Sequence, residues 1–134
     1  MAYSDKVWKD SPDHTTPLSA AGLNDWEARI KAETDALSVL AAGNAARMAA
    51  NPDLLLFGTI TRDTNEAVTS AQVTWPDGAT GTFTATTLST SFPGTVDAYT
   101  ITHVLSGTTL TYTQPAVTRD SGGGVTTRPA ITVA

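Results

Sequence analysis

The chain changes character once, at Asn51-Pro52-Asp53, and that change limits what it can fold into. Residues 1–53 carry 8 acidic and 5 basic side chains and are rich in Ala; residues 54–134 carry 5 acidic side chains, 3 Arg, no Lys and 22 Thr. Ala, Glu and Lys suit helices, whereas Thr, Val and the aromatics suit strands. Pro52 disfavours helical geometry at Asn51 and so marks the boundary. The expected organisation is an N-terminal region 1–53 and a β domain 54–134.

Within the first region, residues 1–16 read as an extended arm. Asp10-Ser11-Pro12-Asp13-His14-Thr15-Thr16-Pro17 is turn chemistry, and Tyr3 and Trp8 are large apolar groups that need a surface to dock on. Ser19 is an N-cap candidate. It opens a predicted helix that runs to about Leu40 and on to about Ala50, with a candidate break at Gly43-Asn44. Leu23, Trp26, Ile30, Leu37, Ala41 and Met48 recur at spacings of 3, 4, 7, 4 and 7, one narrow stripe interrupted by Thr34 and Asn44. A seam that narrow suits a helix packing against copies of itself. The competing expectation is a helix packed on its own β domain. The charged residues Asp25, Glu27, Arg29, Lys31, Glu33 and Asp35 read as a solvated or inter-chain face.

The second region reads as strands at 54–61, 67–75, 80–88, 95–105, 108–117 and 125–133. Alternation is clearest at Tyr99, Ile101, His103 and Leu105, and at Leu110 and Tyr112. Trp75-Pro76-Asp77-Gly78, Phe92-Pro93-Gly94, Ser106-Gly107 and Ser121-Gly122-Gly123-Gly124 supply turns. About six short strands predict an all-β fold, a small antiparallel sandwich or barrel. Pro115 and Pro129 should lie at strand ends or edges. An internal echo runs through this half: Thr61-Arg62-Asp63 with Val68-Thr69-Ser70 matches Thr118-Arg119-Asp120 with Val125-Thr126-Thr127 at a constant offset of 57. Each copy reads as a hairpin with Asp nucleating the turn and a local Arg–Asp pair.

Chemistry is sparse. A net charge of −5 does not attract phosphate backbones or anionic membrane surfaces, so neither nucleic acid nor membrane insertion is expected. No Cys is present, which excludes thiol nucleophiles and Cys metal sites. His14 lies in a polar loop and His103 in a strand, neither with carboxylates at metal-ligand spacing. No nucleophile motif or P-loop occurs, and Gly122-Gly123-Gly124 reads as a turn, not a phosphate cradle. The expectation is no enzyme, no catalytic residue, no cofactor and no metal. Sugar binding, with Trp75, Tyr99 or Tyr112 stacking on rings, is an alternative. No run of 18 apolar residues and no apolar signal core is present; synthesis in the cytoplasm is expected, with any exit from the cell by another route, such as lysis.

Residues Trp8 to Ile30 carry a resemblance. Thr16-Pro17-Leu18-Ser19-Ala20, then Leu23-Asn24, then Glu27, resembles the N-terminal segment of head-fibre, tail-fibre and minor tail proteins of tailed bacteriophages. Trp26 departs from the Ile or Met usual before the Glu. The segment covers about 25 of the 134 residues. Val73-Thr74-Trp75-Pro76-Asp77-Gly78 and Tyr112-Thr113-Gln114-Pro115-Ala116-Val117-Thr118-Arg119-Asp120 also resemble small β domains ending proteins of phages of actinobacteria. The resemblance implies a virion component made in the host cytoplasm: a head fibre or capsid decoration protein, or a tail-tip or minor tail protein touching a host receptor or surface glycan. It implies a trimer, with Leu23, Trp26, Ile30, Leu37 and Ala41 at the seam of a trimeric helical bundle, Asn44 setting register, and Tyr3, Trp8, Pro17 and Leu18 anchoring the arm to capsid or tail proteins. Leu18 would pack back on the first helical turn as a staple.

Overall fold

The computed structural model describes residues 19–134. The chain forms two compact units, Met1–Asn44 and Ala45–Ala134. Compactness thus divides the chain nine residues before the compositional boundary at Asp53. The reason is that the end of the helix, Ala45, Ala46, Met48 and Ala49, packs into the core of the second unit.

Helix α1 spans Ala20–Ala49 without the candidate break at Gly43-Asn44. Its start follows from Ser19: the hydroxyl accepts the Gly22 N–H at 3.1 Å, and the Ser19 carbonyl accepts the Leu23 N–H. One otherwise orphaned N–H is satisfied, and a cap of this kind contributes about 1 kcal/mol. Along the helix Lys31 pairs with Asp35 one turn on. Thr34 and Ser38 return their hydroxyls to the carbonyls of Ile30 and Thr34 at 2.8 and 3.0 Å. A 3-10 turn, Pro52–Leu54, follows.

The second unit is built on β1 (Leu56–Arg62), β2 (Val68–Thr74), β3 (Thr80–Leu88), β4 (Val96–Leu105), β5 (Thr108–Gln114), β6 (Thr118–Arg119), β7 (Val125–Thr127) and β8 (Thr132–Val133). Six of these form one antiparallel sheet in the order β1-β2-β3-β4-β5-β8, and β6 and β7 pair separately. The all-β expectation is met, but in place of a sandwich or barrel these six strands form one open meander with β1 and β8 at its two edges. The single strand expected over 125–133 is instead two, β7 and β8. Pro129 lacks an N–H for a ladder, so pairing stops there and resumes on the other side of it. Pro115 ends β5 in the same way, three residues short of the expected 117.

Alternation decides the two faces. Ala71, Val73, Phe83, Tyr99, Ile101 and Tyr112 are buried on one face with Ala49, Leu55, Trp75 and Ala79. Ile101, fully buried at the centre, contributes roughly 1.5–3 kcal/mol by its removal from water. The opposite face explains the Thr content. Register places Thr61 beside Ser70, Ser70 beside Thr84, Thr84 beside Thr100, Thr100 beside Thr113 and Thr113 beside Thr132, one hydroxyl row across all six strands. A β-branched side chain favours the extended backbone while its hydroxyl meets water, so Thr suits the wet face of a sheet.

The covering segment is tied down by polar contacts. Tyr99 Oη donates to the Ala49 carbonyl at 2.7 Å, the Thr74 N–H donates to the Leu55 carbonyl, and Arg128 Nη1 donates to the Ala50 carbonyl at 2.7 Å. Gln114, almost fully buried, donates from Nε2 to the carbonyls of Pro115 and Pro129 at 3.0 Å, holding the chain between β7 and β8 against β5.

Candidate functional site

Three places hold side chains beyond what packing requires. The first is the helix seam. Trp26 is 53 % exposed, Ile30 48 % and Leu37 66 %; Ala41 is exposed and Leu23 half-buried. Met48, the last residue of the stripe, is half-buried against the β core. The competing expectation of a helix packed on its own β domain is met at the last turns of the helix, which belong to the second unit. The anchor residues Tyr3, Trp8, Pro17 and Leu18, with His14, lie outside the described residues.

The second is a cluster around Trp75. The indole N–H donates to the Thr102 carbonyl at 3.0 Å. Its ring meets His103 edge-on at 5.2 Å and Tyr112 at 5.1 Å. His103 Nε2 bonds Asp77 Oδ2 at 2.7 Å. The Ala79 N–H, and then the His103 ring, hold the Asp77 carboxyl below the usual aspartate range. Sequence reading left His103 unpartnered because Asp77 stands 26 positions away; the β2–β3 turn folds it over β4. No hydroxyl is hydrogen-bonded to His103 among the described residues, and no three His, Cys, Asp or Glu side chains gather among them. The pair fastens a turn to a strand.

Burial also overturns one expectation. Trp75, Tyr99 and Tyr112 are 3 %, 6 % and 4 % exposed, so none offers a ring face for a sugar to stack on. They alternate inward with the core residues, and burial raises the pKa of both tyrosine hydroxyls.

The third place grows from the sequence echo. In the first hairpin Asp63 Oδ1 accepts the N–H groups of Asn65 and Ala67, the Asp63 N–H donates to Ala67, and Glu66 sits at φ 68°. In the second, Asp120 Oδ1 accepts from Gly122 and Gly124, the Asp120 N–H donates to Gly124, and Gly123 sits at φ 89°. The strand register slips beside the Arg in both, between Thr61 and Arg62 and between Thr118 and Arg119. Arg62 Nη1 donates to Glu66 O at 2.7 Å, and Arg119 Nη1 to Gly123 O at 2.9 Å. The Asp nucleates each turn as expected. The Arg does not pair with that Asp; its Nη1 goes to the carbonyl at the left-handed position of the turn instead.

Beyond that point the copies part. Arg119 Nε donates to Asp97 Oδ1 at 2.7 Å and Nη2 to the Val96 carbonyl. Arg62 has neither bond. It lines an open cavity of about 520 Å³ instead, with Arg128, Asp53, Asn51, Leu56, Val68, Phe83, Val96 and Tyr99. Among the described residues, neither Arg62 nor Arg128 forms an ion pair, and each makes one hydrogen bond, to a backbone carbonyl. Sequence reading singled out Arg62 through the echo but had no signal for Arg128, which enters the cavity only through the fold of the segment before Pro129.

Comparison with protein-family models, curated proteins and solved structures finds no match to this chain.

Proposed function

We propose that this chain is a structural component of a tailed-bacteriophage particle, a small trimeric head fibre or decoration protein that displays its β domain on the capsid surface. One observation carries the reading. A seam spaced for helix association leaves Trp26, Ile30 and Leu37 exposed to water, and it begins within a segment, Thr16 to Glu27, whose sequence resembles virion fibre and tail proteins. Leaving such groups in water forgoes about 25 cal/mol for each Å² of apolar area that a partner would cover. The polar interruption at Thr34 does not oppose a seam, because its hydroxyl is already satisfied by the Ile30 carbonyl. Residues 1–18, with Tyr3, Trp8, Pro17 and Leu18, supply the particle anchor. A tail-tip or minor tail protein is the alternative location within the same class.

Sedimentation of the full chain tests the seam: a trimer is expected, and a clean monomer at micromolar concentration sinks it. Leu23→Asp and Ile30→Asp should each dissociate the trimer, since either buries a carboxylate in an apolar contact. Gold labelling of particles separates capsid from tail, and labelled protein absent from particles removes the virion role altogether.

A further inference from the structure

The two hairpins are a controlled pair inside one chain. They share the turn, the strand slip and the Nη1 bond to the carbonyl four residues on. At Arg119 the remaining nitrogens are committed: Nε grips the Asp97 carboxylate and Nη2 a carbonyl. At Arg62 Nε and Nη2 carry no hydrogen bond among the described residues, and the side chain borders a cavity rather than an aspartate. A guanidinium held by one nitrogen presents its other two as a planar fork that matches a carboxylate. At Arg119 the same two nitrogens are filled by one carboxylate oxygen, on Nε, and one backbone carbonyl, on Nη2.

The rest of the lining narrows the ligand. Arg128 adds a second guanidinium, held by its single bond to the Ala50 carbonyl. Asp53 also lines the cavity; two guanidiniums against one carboxylate leave the site net positive in a chain of charge −5. That balance favours one negative charge over two. Asn51 and Asp53 offer acceptors for ligand hydroxyls, while Leu56, Val68, Phe83 and Val96 offer apolar contact. A volume of about 520 Å³ falls within the usual range for small-ligand sites.

We propose that this cavity binds a hydroxylated monocarboxylate, the acidic sugar residue of a glycan, with Arg62 gripping the carboxylate as Arg119 grips Asp97 and Arg128 adding charge beside it. The site belongs wholly to the second unit and is independent of the helix seam, so either proposal can fail without the other. It does not use the buried faces of Trp75, Tyr99 or Tyr112.

The test is a titration of the full chain, followed by the amide and arginine Nε–H signals in nuclear magnetic resonance. Sodium glucuronate, glucose, N-acetylglutamate α-methylamide and sodium chloride serve as probes. Saturable shifts with glucuronate at Arg62, Arg128 and residues 51–53, absent with glucose and chloride, are expected. Arg62→Gln should weaken glucuronate binding roughly tenfold or more, and Arg62→Lys should recover only part of it because an ammonium lacks the fork. Because Arg62 makes a single exposed bond, both variants should keep the wild-type spectrum elsewhere. No saturable shift with glucuronate, equal shifts with glucose, or unchanged affinity in Arg62→Gln would overturn the proposal. Tighter binding of N-acetylglutamate α-methylamide than of glucuronate would overturn the sugar assignment in favour of an acidic peptide.

Discussion

The hairpins at 61–70 and 118–127 differ less in sequence than in what surrounds them. Both turns are closed by Asp side chains, and each arginine reaches the carbonyl four residues on, Glu66 or Gly123. One arginine is then absorbed into the fold by Asp97, with the two side chains 14 % and 18 % exposed. The other is left at a cavity. The difference shows that a local motif fixes only the part of a side chain's bonding that its own turn supplies. Whether the remaining donors serve stability or recognition depends on which residue a distant strand brings near.

Arg119→Ala should break the comparison most severely. It strands a largely buried Asp97 carboxylate and should cost about 2–3 kcal/mol, read from the midpoint of urea unfolding. Arg62→Ala should cost less than about 0.5 kcal/mol in the same assay; equal costs would mean that Arg62 is structural. The turns themselves should respond alike. Asp63→Ala and Asp120→Ala each remove an acceptor from two backbone N–H groups, and each should lose about 1–2 kcal/mol. A gap between them as large as either loss would mean that the turns are not equivalent.

Smaller effects sharpen the pair. Glu66 occupies the left-handed position that Gly123 holds in the twin. Glu66→Gly relieves a steric cost that the added freedom of the unfolded chain partly offsets, so thermal unfolding should show a gain of about 0.5 kcal/mol. The smallest effect comes from a third turn of related geometry, where Asp77 bonds Ala79 and pairs with His103. Its folded pKa is lowered, so its contribution is complete above the unfolded value of about 3.9 and is lost as pH falls through the folded value. The stability difference between wild type and Asp77→Asn should therefore shrink toward zero in that acid window, and a difference that persists there would mean that the charge is not the cause.

Local rules reached far into the fold. Ser19 as a cap, the helix to Ala49, five of the strands and the stop at Pro115 all follow from neighbours a few positions apart, the range over which propensity and turn geometry act. Where local reading failed, the missing information was spatial. Gly43-Asn44 carries a break signal, yet Ala45, Ala46, Met48 and Ala49 gain burial only if the helix continues. Tyr99 and Tyr112 were readable as inward-facing from their alternation, but that same alternation removed them as sugar platforms. His103 could not be matched to Asp77 without knowing that the β2–β3 turn closes over β4.

By itself, the sequence determined a helix followed by an all-β unit, the twin Asp turns and the absence of thiol chemistry. These rest on side-chain type and on periods of a few residues. Tertiary structure alone decided that the sheet is one open meander, that the residues after Pro129 pair with β5, and that Arg119 meets Asp97 while Arg62 meets a cavity. The β5–β8 pairs and the Arg119–Asp97 bond join residues 19 to 22 positions apart. There the chain connection exerts no direct constraint, and burial together with hydrogen-bond satisfaction across the whole unit selects the partner.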